Sequence, residues 1–188
     1  MKYFHPLFII TGVLASTATF FAVSYTAWQT QETTVAAPTS MVQTRAKVRA
    51  IDAKAEKVKK IEAFMAKHKS PLYPYARHIV LEAEANGIDY RLIPAIAMNE
   101  STLCKAIPNN SYNCWGWGIY ADKVTRFESY EDAVSTVSRG LKKFYYDRGM
   151  SSPSAIMRAY TPNSPDGIWA RKIHKWYEEI ESALAQGK

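Results

Sequence analysis

The stretch Ile93-Pro94-Ala95-Ile96-Ala97-Met98-Asn99-Glu100-Ser101 anchors the reading of this 188-residue chain. It reads as an apolar helix that ends in one unpartnered carboxylate beside a hydroxyl. Placing an acid at the end of an apolar helix costs desolvation energy, which favours the protonated form. A carboxyl group that keeps its proton near neutral pH can act as a general acid on a glycosidic oxygen. The plainer reading is a solvent-facing Glu100 at a frayed helix end.

Working outward, the neighbouring segments read as helices. Tyr73-Pro74 opens one whose stripe is Ala76, Ile79, Val80 and Ala83. Asn86-Gly87 closes it, with glycine in the left-handed position and Ile88 packing back. Asp89 is the expected N-cap of the Glu100 helix; Pro94 then sits near the limit of tolerance, so the helix starts late or bends. Downstream, residues 102–125 form a long loop or small hairpin carrying Tyr112-Asn113-Cys114-Trp115-Gly116-Trp117-Gly118. Ser129-Tyr130-Glu131-Asp132 caps a helix over about 130–147, with Ala133, Val134, Val137, Leu141, Phe144 and Tyr145 on its inner face. Ser152-Pro153 starts a short helix to about Tyr160, and Thr161 to Gly167 is a turn. A last helix, about 168–185, places Trp169, Ile173, Trp176, Tyr177 and Ile180 at core spacing. With no convincing strand, this is a mainly α domain.

The N-terminal third differs in kind. Between Pro6 and Trp28 lie 23 residues without Asp, Glu, Lys or Arg, the length of a membrane-crossing helix. Residues 1–30 are therefore expected to be a transmembrane anchor, or a signal cleaved near Ala22-Val23-Ser24. Residues 31–69 read as a Gln/Thr/Ala/Pro linker followed by a basic amphipathic helix. Its stripe is Val48, Ile51, Ala55, Val58, Ile61 and Met65. The chain's charge of +7 is concentrated here: residues 1–69 hold ten Lys or Arg against four acids, and residues 70–188 hold fourteen against thirteen. This helix is either a solvated spacer or a surface for anionic lipid or wall polymer. No nucleic-acid partner is expected, since the remaining domain lacks net charge and shows no binding motif.

Two cysteines, Cys104 and Cys114, flank the loop beside Glu100. In a cytosolic protein they would be free thiols; in an exported domain a pair closing a short loop forms a disulfide. The four scattered histidines form no ligand pattern, so neither metal nor cofactor is expected.

Taken together, Asp89-Tyr90-Arg91-Leu92-Ile93-Pro94-Ala95-Ile96-Ala97 with Glu100-Ser101 resembles the catalytic helix of the lysozyme-like superfamily, in particular its transglycosylase and endo-β-N-acetylglucosaminidase-like cell-wall enzymes. Asn113 to Gly118 falls where those domains carry a Gly-rich substrate loop. Ser129 to Ala133 with Gly140-Leu141 resembles the following helix, and Tyr160-Thr161-Pro162 resembles the Tyr-led motif near the end. The resemblance covers about residues 70–185. Lytic transglycosylases usually carry Gly-Leu-Met-Gln where this chain has Trp117-Gly118-Ile119-Tyr120, and Tyr-Asn-x-Gly where it has Tyr160-Thr161-Pro162.

The resemblance implies a lysozyme-like domain over 70–188 that cleaves the β-1,4 MurNAc-GlcNAc backbone of peptidoglycan, with Glu100 as general acid and base. Ser101, Asn113, Trp115, Trp117, Gly118 and Tyr160 become candidate substrate contacts, and Tyr160 resembles the family tyrosine whose hydroxyl reaches the glutamate. No second carboxylate has a claim beyond position, Asp122, Glu128 and Glu131 included. A lone acid suits a lytic transglycosylase, whereas a muramidase or glucosaminidase needs a second group. A module that binds glycan without turnover is the further alternative. The expected location is the cell membrane, single-pass, with the domain outside the cytoplasm, or secreted if the leader is cleaved.

Overall fold

A computed structural model describes residues 39–120 and 122–185. The expected anchor over 1–30 lies outside them, and none of the described helices is long and apolar enough to cross a membrane. The fold is mainly helical: α1 (Thr39–Lys67), α2 (Ala76–Asn86), α3 (Leu92–Ser101), α4 (Tyr130–Phe144), α5 (Pro153–Tyr160) and α6 (Ile168–Ser182). The only strand-like feature among the described residues is an isolated bridge between Tyr120 and Lys123.

Local chemistry sets the helix ends. Gly87 takes φ 63°, and the amide of Ile88 reaches the Ala83 carbonyl at 2.9 Å, closing α2 as its Asn-Gly pair predicts. Asp89 is not the N-cap of α3. Its Oδ1 accepts from the Arg91 amide at 2.9 Å in a turn, so the helix begins at Leu92. Pro94 then falls third in the helix, where an amide has no helical partner to lose, and α3 needs no bend. Ser129 caps α4 by accepting from the Asp132 amide, and Ser152 caps α5 by accepting from Ala155, with Pro153 first in the helix.

Six consecutive residues of α3, Leu92 to Ala97, are buried. A helix apolar on every side must be surrounded, and α6 and α4 lie against it. The compact unit spans Pro38–Lys188, so it begins well before the expected boundary at 70. The C-terminal half of α1 is part of the core, because Ile61, Phe64 and Met65 are completely buried against the bundle. Only its N-terminal half is exposed, and the expected stripe divides near Val58.

Lysines of α1 also pair with carboxylates on the bundle. Lys54 and Lys57 meet Glu84, Lys60 meets Glu181 at 2.8 Å, and Lys67 and His68 meet Glu179 at 2.9 and 2.7 Å. Burial alone would raise these three carboxyls; the hydrogen bonds outweigh it and hold all three below the ordinary glutamate value.

Truncating Phe64 to alanine is expected to cost about 3–5 kcal/mol, read from a urea melt of the full chain. Because the three carboxyls are depressed in the folded state, their contribution is complete above the unfolded value of about 4.5 and fades as pH falls through the lower folded values. At about 0.5 kcal/mol per exposed pair, a Glu84→Gln/Glu179→Gln/Glu181→Gln variant should melt lower than the parent at pH 7. The difference should shrink at pH 3.

Candidate functional site

Glu100 is the penultimate residue of α3, on the last turn before the helix leaves the core. The exit is abrupt. Thr102, Leu103 and Cys104 all take left-handed backbone angles, φ 54°, 54° and 68°. For residues with side chains this costs about 1–2 kcal/mol each, so the turn must be held from outside. Ser101 and the disulfide hold it. The buried Ser101 Oγ accepts from the Cys104 amide at 2.9 Å and lies within donating distance of the Ala97 and Cys114 carbonyls, at 3.0 and 2.8 Å. Cys104 and Cys114 are joined as a disulfide, with Cα atoms 4.7 Å apart. Ser101, a candidate substrate contact, is therefore a buried brace between helix and loop.

Asn113 is a second brace. Its Nδ2 donates to the Trp117 and Thr125 carbonyls at 2.8 and 3.0 Å, while Oδ1 accepts from the Trp117 amide at 3.0 Å. All of its amide chemistry is spent on the loop, leaving none for a ligand. The Trp115 ring is wholly buried, with Nε1 donating to the Ile93 carbonyl at 2.9 Å. Trp115 is a core residue. Trp117 behaves differently. Its half-buried ring lies on α4 above Gly140, where an added Cβ would come within 2.2 Å of Cζ2. Gly118 takes φ 61°, and a Cβ there would meet Thr125 Oγ1 at 2.5 Å.

These elements enclose a cleft of about 760 Å³. Glu100 lies on it, with Trp117 and Gly118 on the loop side, Phe144 and Tyr145 from α4, and Tyr160 and Trp169 from α5 and α6. Glu100 is exposed, which corrects the expectation of an acid desolvated by its own helix: the apolar part of α3 is buried, but its last turn opens into solvent. Oε1 accepts from Asn99 Nδ2 at 2.9 Å and from Trp169 Nε1 at 3.0 Å. No described residue donates to Oε2.

Tyr160 also differs from expectation. Its hydroxyl donates to the Trp115 carbonyl at 2.6 Å, not to Glu100. Burial, then the nearby charge of Glu100, pushes that hydroxyl well above the ordinary tyrosine value, so it stays a donor. Its ring lies against Trp169, centroids 5.2 Å apart, and Trp169 makes the contact to the carboxylate.

Two cleft residues were concealed by periodicity. Trp169 reads as one member of the α6 core stripe, and it is buried, yet its N–H points at Glu100. Phe144 reads as inner-face, but α4 ends there and the ring is 41% exposed. The one available signal was position: Trp169 opens the helix directly after the Tyr160 turn. Asp122, Glu128 and Glu131 are exposed and none lines the cleft. Among the described residues no group of three His, Cys, Asp or Glu could hold a metal ion.

Comparison with protein-family models and with curated proteins returns no match for this chain. The chemistry must therefore be argued from the cleft itself. It offers one carboxyl, fixed by two N–H donors on a single oxygen, among aromatic faces that suit the C–H surfaces of sugar rings.

Gly140→Ala should report the loop packing. Helix propensity alone would make alanine stabilising by about 1 kcal/mol. The overlap with Trp117 reverses that sign, so the variant is expected to melt at lower urea than the parent.

Proposed function

We propose that this chain is a peptidoglycan-cleaving enzyme of lysozyme-like architecture, acting on the β-1,4 MurNAc-GlcNAc backbone with Glu100 as general acid and then general base. The observation that carries the reading is that, among the described residues, Glu100 is the only carboxylate lining the aromatic cleft, with Oε1 tied to Asn99 and Trp169 and Oε2 facing no described donor. The disulfide beside it suits an oxidising location outside the cytoplasm, where the wall lies. The apolar run 6–28 would tether the domain to the membrane there.

A glycan strand seated on Trp117 and Phe144 excludes water from around the carboxyl. Glu100 gives its proton to the glycosidic oxygen as the C1–O bond breaks. The same carboxylate then takes the proton from the muramic 6-hydroxyl as O6 bonds to C1. No water is consumed, and the product ends in a 1,6-anhydro ring. With no second carboxylate among the described residues lining the cleft to activate water, this lytic route is favoured over hydrolysis.

The test uses the full chain on purified sacculi with mass analysis of released fragments. Glu100→Gln should lower the release rate at least about 100-fold, and fragments from the parent should be one water lighter than reducing ends. Trp169→Phe keeps the ring but removes the N–H, and should lower kcat about tenfold with little change in KM. Equal release by parent and Glu100→Gln overturns the reading. Sedimentation with sacculi without any soluble fragment would assign the cleft to binding.

A further inference from the structure

As a helix, α1 is about 44 Å long, but only its second half is packed on the bundle. The first half carries an exposed apolar stripe. Met41, Val48 and Ala55 recur every seven residues with Ile51 beside them; Met41, Val48 and Ile51 are 57%, 50% and 57% exposed. At 100° per residue Ile51 lies about 40° around the axis from the buried Met65, and Met41, Val48 and Ala55 about 80–120° from it. The stripe adjoins the core face and runs on past the end of the bundle, where nothing among the described residues covers it.

Its borders are basic. Arg45 and Lys59 flank the stripe on one side and Lys47 on the other. Unlike Lys54, Lys57 and Lys60, none of these three pairs with a carboxylate among the described residues. Beside the stripe a groove of about 570 Å³ has Ile51, Ala55 and Val58 in its floor, and Arg77 of α2 adds a cation to its rim. Among the described residues Glu62 is the one carboxylate lining that groove, and Asp52 is exposed near the stripe.

We infer that the N-terminal half of α1, with Arg77, lies in the surface of an anionic bilayer, its stripe among the acyl chains and its cations at the headgroups. Three occupants can be weighed. A second copy would bring the same unpaired cations to the same stripe and add repulsion. A soluble polyanion would satisfy the cations but leave Met41, Val48 and Ile51 in water. An anionic bilayer answers both halves of the pattern. Nothing in this inference depends on the chemistry of the cleft.

The test reconstitutes the full chain carrying Ile51→Cys, labelled with a polarity-sensitive fluorophore; the native cysteines are joined to each other and do not react. Vesicles of phosphatidylcholine are compared with vesicles containing about two-fifths phosphatidylglycerol. A blue shift confined to the anionic vesicles, and reversed by high salt, is the expected result. Reversing Arg45, Lys47 or Lys59 to glutamate should weaken surface binding about fivefold per site. Because the labelled chain without charge reversals reports the lipid dependence, the outcome does not rest on the charge-reversed variants folding. An aqueous label on anionic vesicles overturns the inference, as does an equal shift on neutral vesicles. A matching shift with soluble polyphosphate and no lipid also overturns it, assigning the surface to a polymer.

Discussion

The hydrogen bond from Trp169 Nε1 to Glu100 Oε1 is the contact on which the cleft depends. The body of α3 is buried from Leu92 to Ala97, so the helix has no freedom to turn, and its final residues emerge where α6 begins. A carboxylate at a helix C-terminus faces the negative end of the dipole, an unfavourable place for it. The indole N–H and the Asn99 amide offset that cost and select which oxygen is occupied. Packing thus settles the location of the acid, and two N–H donors settle its orientation.

The polar residues around the acid serve the backbone more than any ligand. Three left-handed residues in a row after α3 turn the chain sharply away from Glu100, and Ser101, the disulfide and Asn113 together sustain that path. The same path buries Trp115 and leaves Trp117 on the wall, so alternating tryptophans and glycines place one ring inside and one at the cleft. Gly140 completes the arrangement from α4 by leaving space for the Trp117 ring. The loop's aromatic surface therefore follows from backbone strain paired with specific braces.

α1 joins two environments in one helix. Its second half contributes three fully buried side chains and lysines that grip carboxylates on α2 and α6. Its first half leaves an apolar stripe, bordered by unpaired cations, exposed beyond the bundle. A seven-residue repeat drifts only about 20° per heptad on a 3.6-residue helix, so the two halves share neighbouring faces and differ in whether the bundle lies beneath them.

Much was legible before any coordinates. Gly87, Ser129, Ser152 and Pro153 mark helix ends through local backbone chemistry, the paired cysteines bracket one loop, and the apolar run before Glu100 marks a buried helix with an acid at its exit. What needed the tertiary structure was the assignment of partners: Trp169 rather than Tyr160 against the glutamate, Ser101 and Asn113 turned inward, Phe144 turned out, and half of α1 drawn into the core. Periodicity along a helix reports how often a side chain meets apolar surroundings. It carries no information on which distant segment supplies them, or where a buried ring directs its one polar hydrogen.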